Sequence, residues 1–219
     1  RAAQETGTYL VHLSSGCIFH SQNSADEKTE ESIPNPLSYY MVSKVQAEEA
    51  LLRRARENGL RVLILRPRQL LSAVPHAKNI LAKMTIFTKF HDKDNSMTVI
   101  EDLMWVTDEL VRRGRTGIYH VVNPGVTTPF RIAQMIREVI NPDMQITQLS
   151  KEEIDAMYPV KRADTIMSTA KLNREGIFLI PIEQRVRQLL TVLRDNLLNE
   201  QARDILAETK AHDEARKSK

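Results

Sequence analysis

The sequence predicts an α/β fold built on a largely parallel sheet. Short β-rich runs alternate with longer helical ones along the 219 residues, the order a parallel sheet requires. The three strongest runs, 8–14, 60–66 and 117–122, are almost continuously apolar, as strands covered on both faces are. A composition of 42% hydrophobic and 27% charged residues suits one globular domain or slightly more, long enough to bury its own core.

Each element has a local reason. The run 8–14 opens the fold, and 20–36, polar with two prolines, is expected as a long exposed loop, a length more often functional than idle. A helix is expected over 37–58, with Val42, Val45, Leu51, Leu52 and Ala55 near helical spacing and a stop at Asn58-Gly59. The strand 60–66 follows. Weaker strands are expected at 97–100 and 145–149, and Leu103, Met104 and Trp105 are expected in the core. Asn123-Pro124-Gly125 reads as the turn ending strand 117–122. Thr128-Pro129 starts a helix, a cap residue followed by proline at the first position, with Ile132, Ile136, Val139 and Ile140 as its stripe. A last clear helix is expected over 182–199, and the tail 200–219 is polar and mixed in charge.

Composition also excludes function classes. One cysteine, Cys17, permits no disulfide framework and no thiolate zinc cluster, and the six histidines show no metal-ligand spacing. No metal is expected, Cys17 reads as a buried structural thiol, and His12 and His120 as satisfied core residues. A reducing, cytoplasmic compartment is the default. No apolar run nears the roughly 20 residues a membrane crossing needs, and no signal peptide opens the chain. Thirty-one basic and 28 acidic residues leave a net +3, interspersed rather than blocked, which suits a nucleotide's phosphates and gives little reason to expect nucleic acid. The first residue is Arg1 and a buried-type strand follows almost at once, so a fragment with an upstream native start is expected. No G-x-G-x-x-G and no phosphate-binding loop of the G-x-x-x-x-G-K type occurs.

The residues that could carry chemistry are Ser14-Ser15 at the end of a strand and Tyr40 and Lys44 on the helix after it. Tyr40 and Lys44 are four apart and share a helix face. A phenol ordinarily titrates near 10, and an adjacent ammonium favours its ionised form and prepares it for proton transfer. A serine hydroxyl at the carboxyl end of a parallel strand stands where open α/β sheets bind ligands. Tyr-x-x-x-Lys alone is weak, since a lysine lying over a tyrosine is ordinary surface structure; the composite of strand, Ser-Ser, proline-containing loop and Tyr-x-x-x-Lys helix is far more specific.

With these residues the chain resembles the extended short-chain dehydrogenase/reductases. VHLSSGCIF (11–19) is similar to that family's strand ending in a catalytic Ser/Thr, and EESIPNPLSYYMVSKVQAEE (30–49) to its acidic proline loop and Tyr-x-x-x-Lys helix. Within the family it is most similar to dTDP-4-dehydrorhamnose reductases and the reductase part of nucleotide-rhamnose synthases, through SGCIF (15–19), LRPR (65–68), NSMTVIEDL (95–103), GIYHVVNPGVTT (117–128) and, more weakly, AKL (170–172). The resemblance spans about 8–199 and the latter two-thirds of the family's fold. It implies a partial Rossmann-like, doubly wound parallel sheet with a smaller C-terminal substrate-binding region. Residues 1–75 would carry the cofactor side and the catalytic set, 76–199 the substrate side interleaved with a returning strand near 117–122.

By position, the resemblance implies that Ser15 polarises the substrate carbonyl, Tyr40 protonates the nascent alkoxide, and Lys44 supports Tyr40 and holds the nicotinamide ribose. It implies NADP(H) or NAD(H) as cofactor and a nucleotide-linked 4-keto-6-deoxy sugar as substrate, with a homodimer left open. Ser14, Arg66 and Arg68 are counted with Tyr40 and Lys44 as cofactor contacts; for the two arginines, phosphate binding and a structural partner stand as equal readings. Asn79, Lys83 and Arg162 join Ser15 as substrate contacts, although Ala163 stands where the family often has proline after that arginine. Gly16-Cys17 depart from the Asp-Tyr usual in bacterial reductases and are closer to the plant-type synthases. Two other readings stay open: an epimerase or dehydratase on the same scaffold, and a non-catalytic regulatory subunit.

Overall fold

The computed structural model of the chain describes residues 2–23, 25–76, 78–157, 163–198 and 207. Arg162 and, apart from Ala207, the tail 200–219 lie outside the described residues. In chain order the elements begin with α1 (Ala2–Glu5), β1 (Leu10–Leu13), a 3-10 turn (Gly16–Ile18), β2 (Glu27–Lys28), α2 (Tyr39–Asn58), β3 (Val62–Pro67) and β4 (Leu70–Leu71). There follow α3 (Ile80–Met84), β5 (Lys89–Phe90), β6 (Thr98–Val99), α4 (Ile100–Arg112), β7 (Gly117–Val121) and α5 (Pro129–Val139). The last are β8 (Thr147–Gln148), α6 (Lys151–Met157), β9 (Ile166–Met167), α7 (Ala170–Arg174) and α8 (Ile182–Leu197).

β3 is the centre of a parallel sheet of order β1-β3-β7, with Leu13 opposite Leu65 on one side and Tyr119 opposite Leu65 on the other. All six residues of β3 are buried, which is why its sequence is apolar at consecutive rather than alternate positions. Leu63 and Leu65 pack against Val106 and Leu110 of α4, while Val62 and Ile64 face Leu51, Leu52 and Ala55 of α2.

The three strong strands and the helices at 37–58, 128–140 and 182–199 form within two residues of their expected bounds, save that the helix begun at Thr128 closes at Val139. Thr128 caps α5 by accepting from the Arg131 N–H at 3.0 Å, and Ile132 and Ile136 pack on Val186, Leu189 and Leu193 of α8. This second core also takes in Leu71, Ala73 and Leu81. The expectation for 103–105 needs correcting. These residues lie on α4, where Leu103 is buried but Met104 and Trp105 are 67% and 48% exposed, because the sheet covers only the face of Leu103, Val106 and Leu110.

The loop 20–36 also differs from expectation. It is tied down rather than free: β2 pairs in parallel with β9, and Glu30 is buried with its carboxylate accepting from the His120 N–H at 2.9 Å. Among the described residues no helix is long and apolar enough to cross a membrane, and no His, Cys, Asp and Glu cluster is placed to hold a metal.

Leu65 is fully buried between both neighbouring strands and α4. Leu65→Ala is expected to lower stability by about 2–5 kcal/mol, read as a fall in the urea midpoint at an unchanged m-value.

Candidate functional site

The site forms where β1 ends. Ser14 extends the ladder by one residue, its N–H donating to Leu65 O at 2.8 Å. Ser15 then caps the 3-10 turn in extended backbone, its Oγ accepting from the Cys17 N–H at 3.1 Å. Gly16 follows, packed against the sulfur end of the Met167 side chain, which would have to move for a Cβ to fit there.

Tyr40 and Lys44 are carried to this strand end by α2, whose N-cap Ser38 accepts from the Met41 N–H. Lys44 Nζ donates to Leu13 O at 3.3 Å and lies 5.7 Å from the Tyr40 ring centroid. Lys44 is thereby tied to the last residue of β1, two positions before Ser15, and Tyr40 lies one helical turn from it, 55% exposed. The Tyr40 hydroxyl makes no hydrogen bond among the described residues. Cys17 is half-buried, and its Sγ accepts from Arg68 Nη1 at 3.3 Å.

Behind these groups lies a buried polar network that the sequence pattern did not lead us to expect. The Ser14 hydroxyl donates to the Glu48 carboxylate. Arg66 pairs with the same carboxylate, Nη2 to Oε2 at 2.6 Å and Nε to Oε1 at 2.9 Å, with side chains only 3% and 4% exposed. Its Nη1 reaches Glu30 O at 3.4 Å and His120 Nε2 at 3.3 Å, and its guanidinium lies 5.1 Å from the Phe19 ring centroid.

Several expected site residues are thereby reassigned. Ser14 and Arg66, expected to contact cofactor, are turned inward with their donors engaged. Arg68 is buried likewise, bonding Asn95 Oδ1 at 2.9 Å and the Ala163 carbonyl, so it ties segments together instead of facing a phosphate. Asn79, expected at the substrate, caps α3 through Oδ1 and donates through Nδ2 to Ser72 O and Val74 O. It borders an apolar cavity of about 310 Å³ with Leu70, Val74 and Ile100, which Ser15, Tyr40 and Lys44 do not line. Lys83 lies half-buried on α3. His12 differs from a satisfied core residue, since its Nε2 is buried with no hydrogen-bond partner. Its pKa is lowered by burial and by the nearby Lys44, against an opposing pull from Glu48.

A family model described as the RmlD substrate binding domain matches residues 1–195. The chain is 30% identical over 188 residues to a bifunctional dTDP-4-dehydrorhamnose 3,5-epimerase/dTDP-4-dehydrorhamnose reductase of Arabidopsis thaliana, covering 83% of this chain and 61% of that protein. It matches a trifunctional dehydratase, epimerase and UDP-4-keto-L-rhamnose reductase of the same plant equally well, across 27% of that longer protein. Of solved structures, the UDP-rhamnose synthase of Acanthamoeba polyphaga mimivirus superposes with a TM-score of 0.78 at 26% identity, covering 87% of this chain and 67% of that one. A dTDP-4-dehydrorhamnose reductase of Bacillus anthracis, solved in complex with NADP, gives 0.70 at 22% identity over 86% of this chain and 67% of its own, a likeness of fold.

The network's electrostatics fix its protonation. Burial, then the charges of Arg66 and Lys171, push the His120 pKa down to about 3, so His120 is neutral and its Nε2 accepts from Arg66. Burial raises the Glu30 pKa, partly offset by the His120 N–H. Burial and Glu175 raise Tyr119 to about 12. Between the ordinary histidine value of 6.5 and about 3, the unfolded chain binds a proton at His120 that the folded chain does not. That contribution to stability is full above 6.5 and lost as pH falls. Glu30 has the opposite sign, its share being full below 4.5 and lost as pH rises through its raised value. The drop of His120 to about 3 acts across this range, and the lowered pKa of His12 adds in the same direction. The urea midpoint is expected to fall between about pH 7 and pH 5, and to fall less in His120→Asn.

Proposed function

The chain belongs to the RmlD substrate binding domain family, and from that premise we propose that it is the catalytic and substrate-binding portion of an NAD(P)H-dependent reductase of a nucleotide-linked 4-keto-6-deoxy sugar. The observation that supports this reading is the tie of Lys44, with the Tyr40 ring beside it, to Leu13 O at the end of β1, two residues before Ser15. The whole-protein activity is proposed because the chain spans 61% and 27% of its first two curated relatives.

The residues suit the nicotinamide end of such a cofactor. Lys44 spends one N–H on Leu13 O, leaving the other donors of its ammonium for ribose hydroxyls. No Gly-rich turn occurs in the 219 residues, so the proposal assigns them only that end of the dinucleotide. When bound, NAD(P)H supplies the hydride. Ser15 accepts from Cys17 and keeps its own O–H to donate to the C4 carbonyl oxygen, polarising it. Tyr40, its hydroxyl uncommitted, passes its proton to that oxygen as the carbonyl becomes an alcohol. The ammonium of Lys44 steadies the charge left on the phenol.

In this reading residues 1–75 bear the cofactor side, and 76–199 bear the substrate side with β7 returned to the sheet. Lys83 and Arg162 are kept as candidate sugar-nucleotide contacts on the resemblance, and a reducing cytoplasm is the proposed setting on the single cysteine.

The test is reduction of a dTDP- or UDP-linked 4-keto-6-deoxy sugar by the native full-length polypeptide, followed by loss of reduced nicotinamide. Net consumption of NAD(P)H separates a reductase from an epimerase or dehydratase that regenerates its cofactor, and from a regulatory subunit. Tyr40→Phe is expected to lower kcat by roughly 10²- to 10⁴-fold with little change in unfolding midpoint; near-parental turnover would sink the assignment. Lys44→Ala is expected to weaken cofactor binding as well as turnover, and an unchanged cofactor affinity would remove its ribose role.

A further inference from the structure

We propose that Glu48 is a positioning residue of this site. By bridging Ser14 at the strand end and Arg66 on β3, it fixes the register in which α2 presents Tyr40 and Lys44 to Ser15. The inference rests on the reading of Ser15, Tyr40 and Lys44 as the reacting set, and goes beyond it.

Tyr40, Lys44 and Glu48 stand on successive turns of α2, four residues apart. Glu48 is therefore about 12 Å from Tyr40 along the helix axis, too far to touch the reacting atoms. Of the helix's 20 residues only Met41 and Glu48 are buried; Val42 is exposed, and Val45, Leu51, Leu52 and Ala55 are half-covered. An amphipathic helix is ordinarily seated by its apolar stripe. Beyond the first turn of α2, the fully buried anchor is a carboxylate.

That anchor is directional. Glu48 accepts from Ser14 and from two nitrogens of Arg66. A forked charge pair holds one geometry, where apolar contacts would allow a slip. Ser14 is the residue before Ser15, and Leu13, which holds Lys44, is the residue before Ser14. One carboxylate thus ties the helix bearing two reacting groups to the strand end bearing the third.

Glu48→Gln alone would leave Arg66 buried without its counter-charge and could fail to fold. Two other variants of the native full-length protein avoid this. Ser14→Ala cuts the tie to the strand while keeping the ion pair. Glu48→Leu with Arg66→Met removes both charges together, a replacement that folds tend to tolerate. Both are expected to lower kcat roughly 10- to 100-fold with the sugar-nucleotide KM within about twofold of the parent, and Ser14→Ala with a modest fall in unfolding midpoint, since a buried carboxylate loses one donor. Combining all three changes is expected to add nothing further, as for residues acting through one link.

A second readout is independent of activity. Acylation of Lys44 by an amine-reactive reagent, followed by peptide mass spectrometry, is expected to be several-fold faster in both variants as its hold on Leu13 loosens. Parental kcat in the folded variants, or losses that multiply on combination, would overturn the proposal. If the parent itself consumes no NAD(P)H, the reductase reading fails. The Lys44 labelling rate then decides the positioning role alone, faster upholding it and unchanged overturning it. Should the Leu/Met variant not fold, kcat and Lys44 labelling in Ser14→Ala decide the role in the same way.

Discussion

The Arg66–Glu48 ion pair is the constraint around which the site half of the molecule is arranged. Two charges taken almost wholly out of water are tolerated only when every donor and acceptor finds a partner. The surroundings answer most of that demand from separate elements, although His120, expected to be a satisfied core residue, keeps its Nδ1 buried without a hydrogen-bond partner. Ser14 supplies a hydroxyl from the end of β1, the loop 20–36 supplies the Glu30 carbonyl, and β7 supplies a ring nitrogen of His120. His120 must be neutral to accept, and its burial beside Arg66 keeps it so. Glu30 in turn spends its carboxylate on the His120 N–H. The polar loop is therefore held by the same arginine that holds the helix.

The two halves of the fold are stabilised in different ways. Around α5 and α8 the cohesion is apolar: Ile132, Ile136, Val186, Leu190 and Leu193 are all fully buried in one cluster, and such a core tolerates small shifts by repacking. Around β1 and α2 a smaller apolar cluster is joined by a set of directional bonds, which fix position more tightly than they add stability. A reaction that needs a hydroxyl, a phenol and an ammonium in fixed relation is better served by the second kind.

That contrast also decides what could be read from the sequence. β3 was legible because six consecutive buried positions leave an apolar run, and α5 because its cap, its proline and its stripe agree. Tyr40 and Lys44 were legible together because helix spacing puts them on one face, and Ser15 because it follows a strand end. Glu48 was not: a glutamate among Gln46, Glu49 and Arg53 looks like a solvated face, and only the position of β3 beneath it turns it inward. Arg66 stayed open between a phosphate and a structural partner for the mirror-image reason. An arginine closing a strand can point to either side, and its sequence neighbourhood does not say which carboxylate it will meet. The loop 20–36 looked exposed because its composition is polar, yet the one glutamate that matters there pairs with a strand about ninety residues later in the chain, a separation that no local pattern carries.

The same bonds distinguish the two adjacent serines. Residue type alone does not separate Ser14 from Ser15, and only the resemblance assigns the carbonyl to Ser15. In the structure the Ser14 proton is engaged by Glu48, whereas Ser15 Oγ is an acceptor from Cys17. A hydroxyl that accepts still has its own proton to give, and accepting strengthens it as a donor. Gly16 beside it lies against the sulfur end of the Met167 side chain. The buried pair engages the Ser14 hydroxyl, while Ser15 keeps its own proton.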